Sequence, residues 1–112
     1  MPYIKNIEHE KVVNLAGEVQ VMPGQVVSKT LAQNDAVSVT LFAFDKGEEI
    51  GTHDSTGDAM VTVLEGVGEF TVGGVKYQCK AGEAIVMPAK IPHAVYAVEA
   101  FKMLLTVVFP QK

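Results

Sequence analysis

The sequence contains no arginine, no tryptophan and only one cysteine, Cys79. A lone cysteine excludes an internal disulfide and a zinc site of the CxxC type. Arginine is the usual side chain for binding carboxylates and phosphates through two parallel hydrogen bonds, so its absence argues against a nucleotide-sugar or multiply phosphorylated ligand. No apolar run in the sequence approaches the roughly 20 residues that a membrane-spanning helix needs.

Positive charge is scarce as well. The 9 basic residues, all lysines, are outnumbered by 13 acidic residues, which gives a net charge of -4 and a pI of about 5.2. This charge repels nucleic acid and anionic membrane surfaces, so we expect neither as a partner. No secretion signal opens the sequence, and the cytoplasm is therefore the expected compartment.

Apolar residues, in contrast, are abundant. Hydrophobic residues make up 48% of the 112 positions and charged residues make up 20%. A chain of this size is expected to form one domain and to bury about two thirds of its unfolded surface, so it can build a core without disulfides or a structural metal. We therefore predict a single domain over residues 1–112.

The apolar residues recur with a period of two, which is typical of half-buried β-strands. Seven segments follow this pattern or are rich in β-branched residues, and most are bounded by glycine or proline, so each is predicted to be a strand. They are AVSVTLFAF (36–44), MVTVLEG (60–66), EFTV (69–72), VKYQCK (75–80), AIVMP (84–88), HAVYAV (93–98) and FKMLLTVVF (101–109).

Turn signals separate these strands at intervals of about 8 to 12 residues, a spacing that is typical of an all-β sandwich or barrel. The strongest of them is Gly73-Gly74, because a two-residue hairpin turn needs positive φ angles. A helical turn is weakly indicated within NIEHEKVVNL (6–15), a stretch that could equally form an edge strand. The sequence therefore predicts an all-β fold with almost no helix.

The closing strand, FKMLLTVVF, has apolar residues on both of its faces. Its second face must therefore be covered, either by another copy of the chain or by the N-terminal segment QVVSKTL (25–31). Pairing around a two-fold axis is the commonest way in which a chain covers such a face with a copy of itself. We predict a homodimer on this basis.

One polar stretch, GTHDSTGDAMVTVLEG (51–66), looks like part of a metal-binding motif. Together with the residues before it, the stretch follows the spacing G-x5-H-x-H-x3-E-x6-G over about residues 47–66. Gly47, His53 and Gly66 match this spacing. The question raised by the stretch is whether His53 is a metal ligand, a catalytic base or a histidine held by hydrogen bonds.

A second motif, G-x5-P-x-G-x2-H-x3-N, covers about residues 82–97, with matches at Gly82, Pro88 and His93. In these two motifs, and in the short hairpin between them, the chain resembles the small single-domain cupins of the RmlC-like superfamily. The resemblance implies a cupin-type antiparallel β-barrel, also described as a double-stranded β-helix or jelly roll. It also implies that the functional site lies inside the barrel.

The chain departs from the cupin motifs at the positions that matter most. Cupins that bind a metal usually take two histidines and a glutamate from the first motif and one histidine from the second. Here Ser55 occupies the second histidine position and Ala59 the glutamate position. Only His53 and His93 remain of the four ligands, and Lys90 replaces a glycine of the second motif.

If the motifs align as in cupins, strand alternation places His53 and His93 in one cavity, with Val61, Val63 and Val95 also pointing inward. The two imidazoles then have three interpretations. They hold a divalent metal (Fe, Mn, Ni, Cu or Zn) whose shell is completed by water or Asp58. They hydrogen-bond to each other, to Ser55 or to water. Or one of them is a general acid or base without a metal.

The charged residues near the motifs are expected to play smaller roles. Asp58 fits a turn role within STGD, although a shift of one residue would direct it inward as a weak metal ligand. Asp54 is expected to be a solvated charge at the rim. Lys90, in a loop by the predicted barrel mouth, is either the cation best placed to meet an acidic ligand or simply solvated.

Two function hypotheses of different classes follow. The first is a small-molecule binding module, whose barrel cavity holds a ligand oriented by the histidines, with a metal as an option. The second is a metal-dependent oxygenase, isomerase or decarboxylase, which the resemblance implies and which the two missing ligands weaken. A structural or storage role is the default if neither holds. The sequence favours the first hypothesis.

Overall fold

The computed structural model of the chain describes residues 3–111, which are built mostly of strands. Within these residues, the helical structure is a single turn of 3-10 helix, Leu15–Glu18. The strands are β1 (Val26–Gln33), β2 (Val37–Phe44), β3 (Glu49–His53), β4 (Asp58–Glu65), β5 (Val67–Val72), β6 (Val75–Lys80), β7 (Ala84–Met87), β8 (His93–Ala97) and β9 (Phe101–Val108).

The strands form two antiparallel sheets. One sheet has five strands in the order β1-β2-β9-β4-β7, and the other has four in the order β3-β8-β5-β6. From β2 onward the chain crosses repeatedly between the sheets, so each sheet is assembled from strands that are distant in sequence. This arrangement confirms the predicted all-β, jelly-roll fold.

The hairpin between β5 and β6 forms where the paired glycines predicted it. Val72 pairs with Val75, so Gly73 and Gly74 are the two loop residues. Their φ angles are +58° and +83°, both in the region that favours glycine. The positive φ at both loop positions matches the right-handed twist of the flanking strands and fixes the register of the hairpin.

Strand β9 lies at the centre of the five-stranded sheet, between β2 and β4. Its residue Phe101 is completely buried between the sheets and stacks on Phe44, with ring centroids 4.6 Å apart. Phe70, from the other sheet, meets Phe101 edge-on at 6.1 Å. We call this region of the interior, made by Phe44, Phe70 and Phe101, the aromatic end.

The outer face of the five-stranded sheet is covered in part by the chain that precedes β1. Leu104 of β9 packs into a second apolar cluster, which includes Val19. The buried Lys102 donates a hydrogen bond of 2.6 Å from Nζ to the carbonyl oxygen of Ala16. The segment QVVSKTL (25–31) forms much of β1 and pairs with β2 at the sheet edge, and its residue Leu31 lies in the same apolar cluster as Leu104.

Another part of the same outer face is exposed. Met60, Val86 and Val108 have 45%, 53% and 58% of their surface accessible. Met60 is directly opposite Val86 in the register of β4 and β7, so two of these side chains are neighbours. Such an apolar face is what the predicted homodimer would cover, and the homodimer stays a prediction.

The helical turn begins at Leu15, the last residue of the stretch 6–15 that was predicted to contain it, and no strand forms in that stretch. The turn begins there because Asn14 caps it, with the side-chain oxygen accepting a 3.1 Å hydrogen bond from the backbone nitrogen of Ala16. Among the described residues, no helix has the length and apolar character needed to cross a membrane.

Candidate functional site

His53 and His93 lie side by side on neighbouring strands. His53 is the last residue of β3 and His93 is the first residue of β8, and the two are paired directly in the antiparallel register. Their ring centroids are 4.4 Å apart, with the rings at 71° to each other. The strand pairing therefore brings together two histidines that are far apart in the sequence.

A bulge in β3 directs His53 toward the interior. Ile50 pairs with Val95 and His53 pairs with His93, so three residues of β3 correspond to two residues of β8. With strict alternation, Ile50 and His53 would point to opposite faces of the sheet. The extra residue removes this conflict, and both side chains line the same cavity.

Each histidine ring is fixed by a hydrogen bond to the backbone. The Nδ1 atom of His53 lies 2.9 Å from the carbonyl oxygen of Gly51, and that of His93 lies 3.2 Å from the carbonyl oxygen of Ile91. A carbonyl oxygen can only accept, so Nδ1 is the donor and carries the hydrogen in both rings. In the neutral rings Nε2 is therefore the nitrogen with a free lone pair.

The two histidines differ in their exposure to solvent. His53 is exposed, whereas only 4% of the surface of His93 is accessible. Burial lowers the pKa of His93 below its ordinary value, because the charged ring loses its hydration, and the nearby His53 lowers it further. The carbonyl of Ile91 and the carboxylate of Asp54 act in the opposite direction without reversing the shift. His93 is therefore neutral at pH 7.

The histidine pair opens onto a cavity of about 300 Å³ between the two sheets. Its wall is mostly apolar, and the polar side chains are the two histidines with Asp54 and Ser55. The lining residues are Phe42, Ile50, His53, Asp54, Ser55, Ala59, Met87, His93, Val95, Met103, Leu105 and Val107. A larger surface groove of about 780 Å³ follows β6 and β7 and has no histidine in its wall.

The structure brings only part of the predicted pocket together. His53, His93 and Val95 line the cavity. Val61 and Val63 point inward, but they are buried to 0% and 1% exposure within the core and do not reach the cavity wall. The structure therefore does not bring these two valines to the cavity wall, because strand alternation gives the face on which a side chain lies but not how far the neighbouring core covers it.

Asp58 does not take part in the site. Its side chain is exposed, and Oδ1 accepts a 2.8 Å hydrogen bond from the backbone nitrogen of Ala89. Its neighbour Ala59 points into the cavity, and alternation therefore directs Asp58 to the outer face. The structure therefore does not bring Asp58 to the histidine pair. The carboxylate at the cavity is that of Asp54, which is exposed at the rim.

The residues present match only part of a metal shell. Among residues 3–111, no group of three or more His, Cys, Asp and Glu residues could hold a metal ion. Ser55 and Ala59 line the cavity. These are the positions at which the motif has a histidine and a glutamate, and the serine and alanine side chains do not replace those ligands. The Ser55 hydroxyl accepts a 3.1 Å hydrogen bond from the nitrogen of Gly57. The two imidazoles alone do not make a complete site for Fe, Mn, Ni, Cu or Zn.

Lys90 stabilises the loop beside the cavity through its backbone. Its φ angle is +67°, an unusual value for a residue with a side chain, and its backbone nitrogen donates a 2.7 Å hydrogen bond to the carbonyl oxygen of Ser55. The side chain is exposed and is not part of the cavity wall. The cation that seemed best placed to meet an acidic ligand is therefore outside the pocket.

The chain is similar to several known proteins. The family model of the cupin domain matches residues 40–109. A conserved protein of unknown function from Streptococcus pyogenes is 54% identical, with a TM-score of 0.97 over 100% of this chain and 98% of that one. A cupin superfamily protein from Desulfitobacterium hafniense is 30% identical, with a TM-score of 0.91 over 96% and 98%. No curated protein matches the chain.

A third solved structure is longer than this chain. It is a cupin 2 conserved barrel domain protein from Leptotrichia buccalis, which is 45% identical and has a TM-score of 0.84. The match covers 86% of this chain and 47% of that one. This chain therefore spans about half the length of that relative.

Proposed function

Because the chain belongs to the cupin domain family, we propose that its barrel cavity binds a small, mainly apolar molecule. In this proposal His53 and His93 hold the polar group of the ligand. The observation that carries the proposal is that two imidazoles, each bound to a backbone carbonyl through Nδ1, border one mostly apolar cavity. Apolar walls with a few convergent polar groups are the usual composition of a small-molecule site.

The cavity limits the size of the ligand. Its volume of about 300 Å³ is at the lower end of the range of roughly 300 to 1,000 Å³ for ligand sites. The methionines in the wall, Met87 and Met103, are unbranched and adapt to ligands of different shape. A single ring with short substituents matches these dimensions better than a nucleotide or a cofactor.

A pair of matched variants tests the location of binding. Ala59→Leu places a larger side chain in the cavity wall, while Ala84→Leu makes the same change at an exposed position of β7. Ligand-observed NMR with a library of small alcohols, acids and amines should detect compounds that bind the wild type and the Ala84→Leu variant. These compounds should lose most of their affinity for Ala59→Leu. Equal binding to all three proteins would contradict the proposal.

The second candidate function is that of a metal-dependent enzyme, and one observation favours it. Both histidines donate Nδ1–H to a backbone carbonyl, which is the usual support of histidines that bind a metal through Nε2. A bound divalent ion would supply Lewis-acid activation of a substrate. Against it stands the incomplete ligand set, because two nitrogen ligands bind first-row metals weakly without a carboxylate.

Restoring the missing ligands tests this second candidate. The double change Ser55→His and Ala59→Glu would add an imidazole and a carboxylate at two positions that already line the cavity. We expect the melting temperature of the double variant to rise with added Ni²⁺ or Zn²⁺, since an ion that binds only the folded state stabilises it. A comparable rise in the wild type, together with about one equivalent of metal in the purified protein, would favour the metal-dependent enzyme instead.

A further inference from the structure

The side chains of the cavity offer hydrogen-bond acceptors to its ligand and almost no donors. The Nδ1–H groups of His53 and His93 are already used by the carbonyls of Gly51 and Ile91. In the neutral rings each Nε2 can only accept. Whatever forms a hydrogen bond with these two atoms must therefore bring its own hydrogen.

The other polar groups of the cavity have the same character. The carboxylate oxygens of Asp54 are hydrogen-bond acceptors. The Ser55 hydroxyl accepts from Gly57 and keeps one hydrogen to donate. Among the described residues that line the cavity, none is a lysine, arginine, asparagine, glutamine, tyrosine or tryptophan. A ligand carboxylate would therefore meet two lone pairs and a negative charge, with one side-chain hydroxyl as its donor.

The acceptor atom of the buried histidine is accessible from the cavity. Within residues 3–111, no buried side-chain nitrogen or oxygen lacks a hydrogen-bond partner. The protein partner of His93 in this part of the chain is bound through Nδ1, so Nε2 must be in contact with solvent. Since His93 lines the cavity and is otherwise buried, that contact lies inside the cavity.

We infer that the ligand of this cavity is a neutral hydroxyl compound, a phenol or an alcohol, whose O–H donates to Nε2 of His93. His53, at the exposed side of the pair, accepts from a second hydroxyl of the ligand or from water. Carboxylates and phosphates are excluded as preferred ligands. This inference rests on the proposed function, because it names the chemical class of the molecule that the same cavity binds.

Burial also supports the inference. Only 4% of the surface of His93 is accessible, so its Nε2 has little contact with bulk solvent and depends on a partner inside the cavity. The hydrogen bond also forms in a mostly apolar cavity, where a hydroxyl without a partner is costly. A ligand of the same shape without the hydroxyl would leave Nε2 of His93 without a hydrogen-bond partner.

Three probes of similar size test the inference: 4-ethylphenol, 4-ethyltoluene and 4-ethylbenzoate. The first two differ only in a hydroxyl in place of a methyl group, and the third carries an anion at the same position. We expect 4-ethylphenol to bind the wild type at pH 7.5 about tenfold more tightly than either of the others, as one hydrogen bond in an apolar site provides. The dissociation constants can be measured by NMR titration.

A variant that lacks the acceptor nitrogen tests whether the preference for 4-ethylphenol depends on Nε2 of His93. His93→Phe keeps a ring of similar size and removes Nε2, so the phenol and the toluene should bind it with similar affinity. His9→Phe makes the same change at an exposed histidine and should leave the preference intact. Because His93→Phe could fail to fold, nitrogen-15 NMR of the wild-type histidines gives an independent measurement. It should show Nδ1 protonated and Nε2 unprotonated in both rings.

The possible results test the inference about the ligand class and the proposed function separately. Binding of 4-ethylbenzoate as tightly as 4-ethylphenol, or protonation of Nε2 in place of Nδ1, would overturn the inference and leave the cavity as a binding site. If the His9→Phe variant no longer bound 4-ethylphenol more tightly than 4-ethyltoluene, the inference would also be overturned. If none of the three probes binds, the inference fails, and if no library compound distinguishes Ala59→Leu from the wild type, the proposed function fails as well.

Discussion

The two ends of the interior are lined by the same sheets and differ in what fills them. At the aromatic end, Phe44, Phe70 and Phe101 occupy the space between the sheets. At the other end, Ala59 and the histidine pair leave about 300 Å³ open. Strand β9 contributes Phe101 to the first and Leu105 to the second. One backbone framework thus holds a filled core at one end and an open cavity at the other.

The largest loss of stability is expected from removing an aromatic ring. Phe101→Ala should lower the free energy of unfolding by about 3 to 5 kcal/mol, because it removes a fully buried ring and leaves a cavity between Phe44 and Phe70. Urea unfolding measures this loss. Tyr96→Ala, at a position with 42% exposure, is the control and should cost much less. Equal losses would mean that the aromatic end does not dominate stability.

A smaller effect is expected from adding one methyl group at the aromatic end. A Cβ atom on Gly68 would lie 2.7 Å from Cε2 of Phe101, whereas one on Gly51 would meet nothing within 4 Å. Gly68→Ala should therefore lower the free energy of unfolding by about 1 to 3 kcal/mol through overpacking. Gly51→Ala, near the histidines, should leave it nearly unchanged. A tolerated Gly68→Ala would show that Phe101 can move, and the contrast between the two ends would weaken.

The cavity end should show its own dependence on pH. Folding lowers the pKa of His93 from 6.5, so the unfolded state takes up a proton first as the pH falls. The contribution of the neutral ring to stability is thus complete above about pH 6.5 and is lost below it, by at most about 1.4 kcal/mol per pH unit for one proton.

Comparison with a His93→Gln variant isolates this contribution. His53 and Asp54, the other titratable groups that act on His93, are present in both proteins. Urea unfolding between pH 5 and 8 should give a free energy that falls more steeply toward pH 5 in the wild type than in the variant. If the free energy of unfolding had the same pH dependence in both proteins, burial would not lower the pKa of His93 in the folded protein.

The smallest change in the free energy of unfolding is expected from a substitution on the surface, away from the aromatic end and the cavity. The same substitution should clearly change the oligomeric state. Val86 and Val75 are each 53% exposed, on the five-stranded and the four-stranded sheet respectively. If the predicted homodimer covers the exposed apolar face around Met60 and Val86, Val86→Lys should shift sedimentation at micromolar concentration from dimer to monomer. Val75→Lys should not. A wild type that sediments only as a monomer would contradict the prediction.

Much of the fold could be predicted from the sequence because its signals are local. The period of two identified strands, and Gly73-Gly74 identified a hairpin whose geometry depends on those two residues. Gly66-Val67-Gly68 is a similar turn signal between two predicted strands. Only Gly66, with φ of +75°, has the turn conformation, whereas Gly68 lies within β5 and gives room to Phe101. That second role depends on the packing of the other sheet.

The candidate site was less predictable because its details depend on register. Motif spacing identified His53 and His93, but His53 faces the cavity only because of a bulge after Ile50 that has no sequence signal. The Nδ1–carbonyl hydrogen bonds, which fix the chemistry of both rings, depend on local loop conformation. The depth of Val61 and Val63 in the core follows from the packing of two sheets and not from alternation along one strand.

The central position of β9 also has a consequence for the order of events during synthesis. β9 is the last of the nine strands to leave the ribosome, yet it fills the place between β2 and β4. Until residues 101–108 emerge, the edges of β2 and β4 that pair with β9 in the fold lack that partner. Unpaired strand edges favour aggregation, so the nascent chain is more exposed to it before β9 emerges than after. The five-stranded sheet is complete only when β9 has paired on both sides.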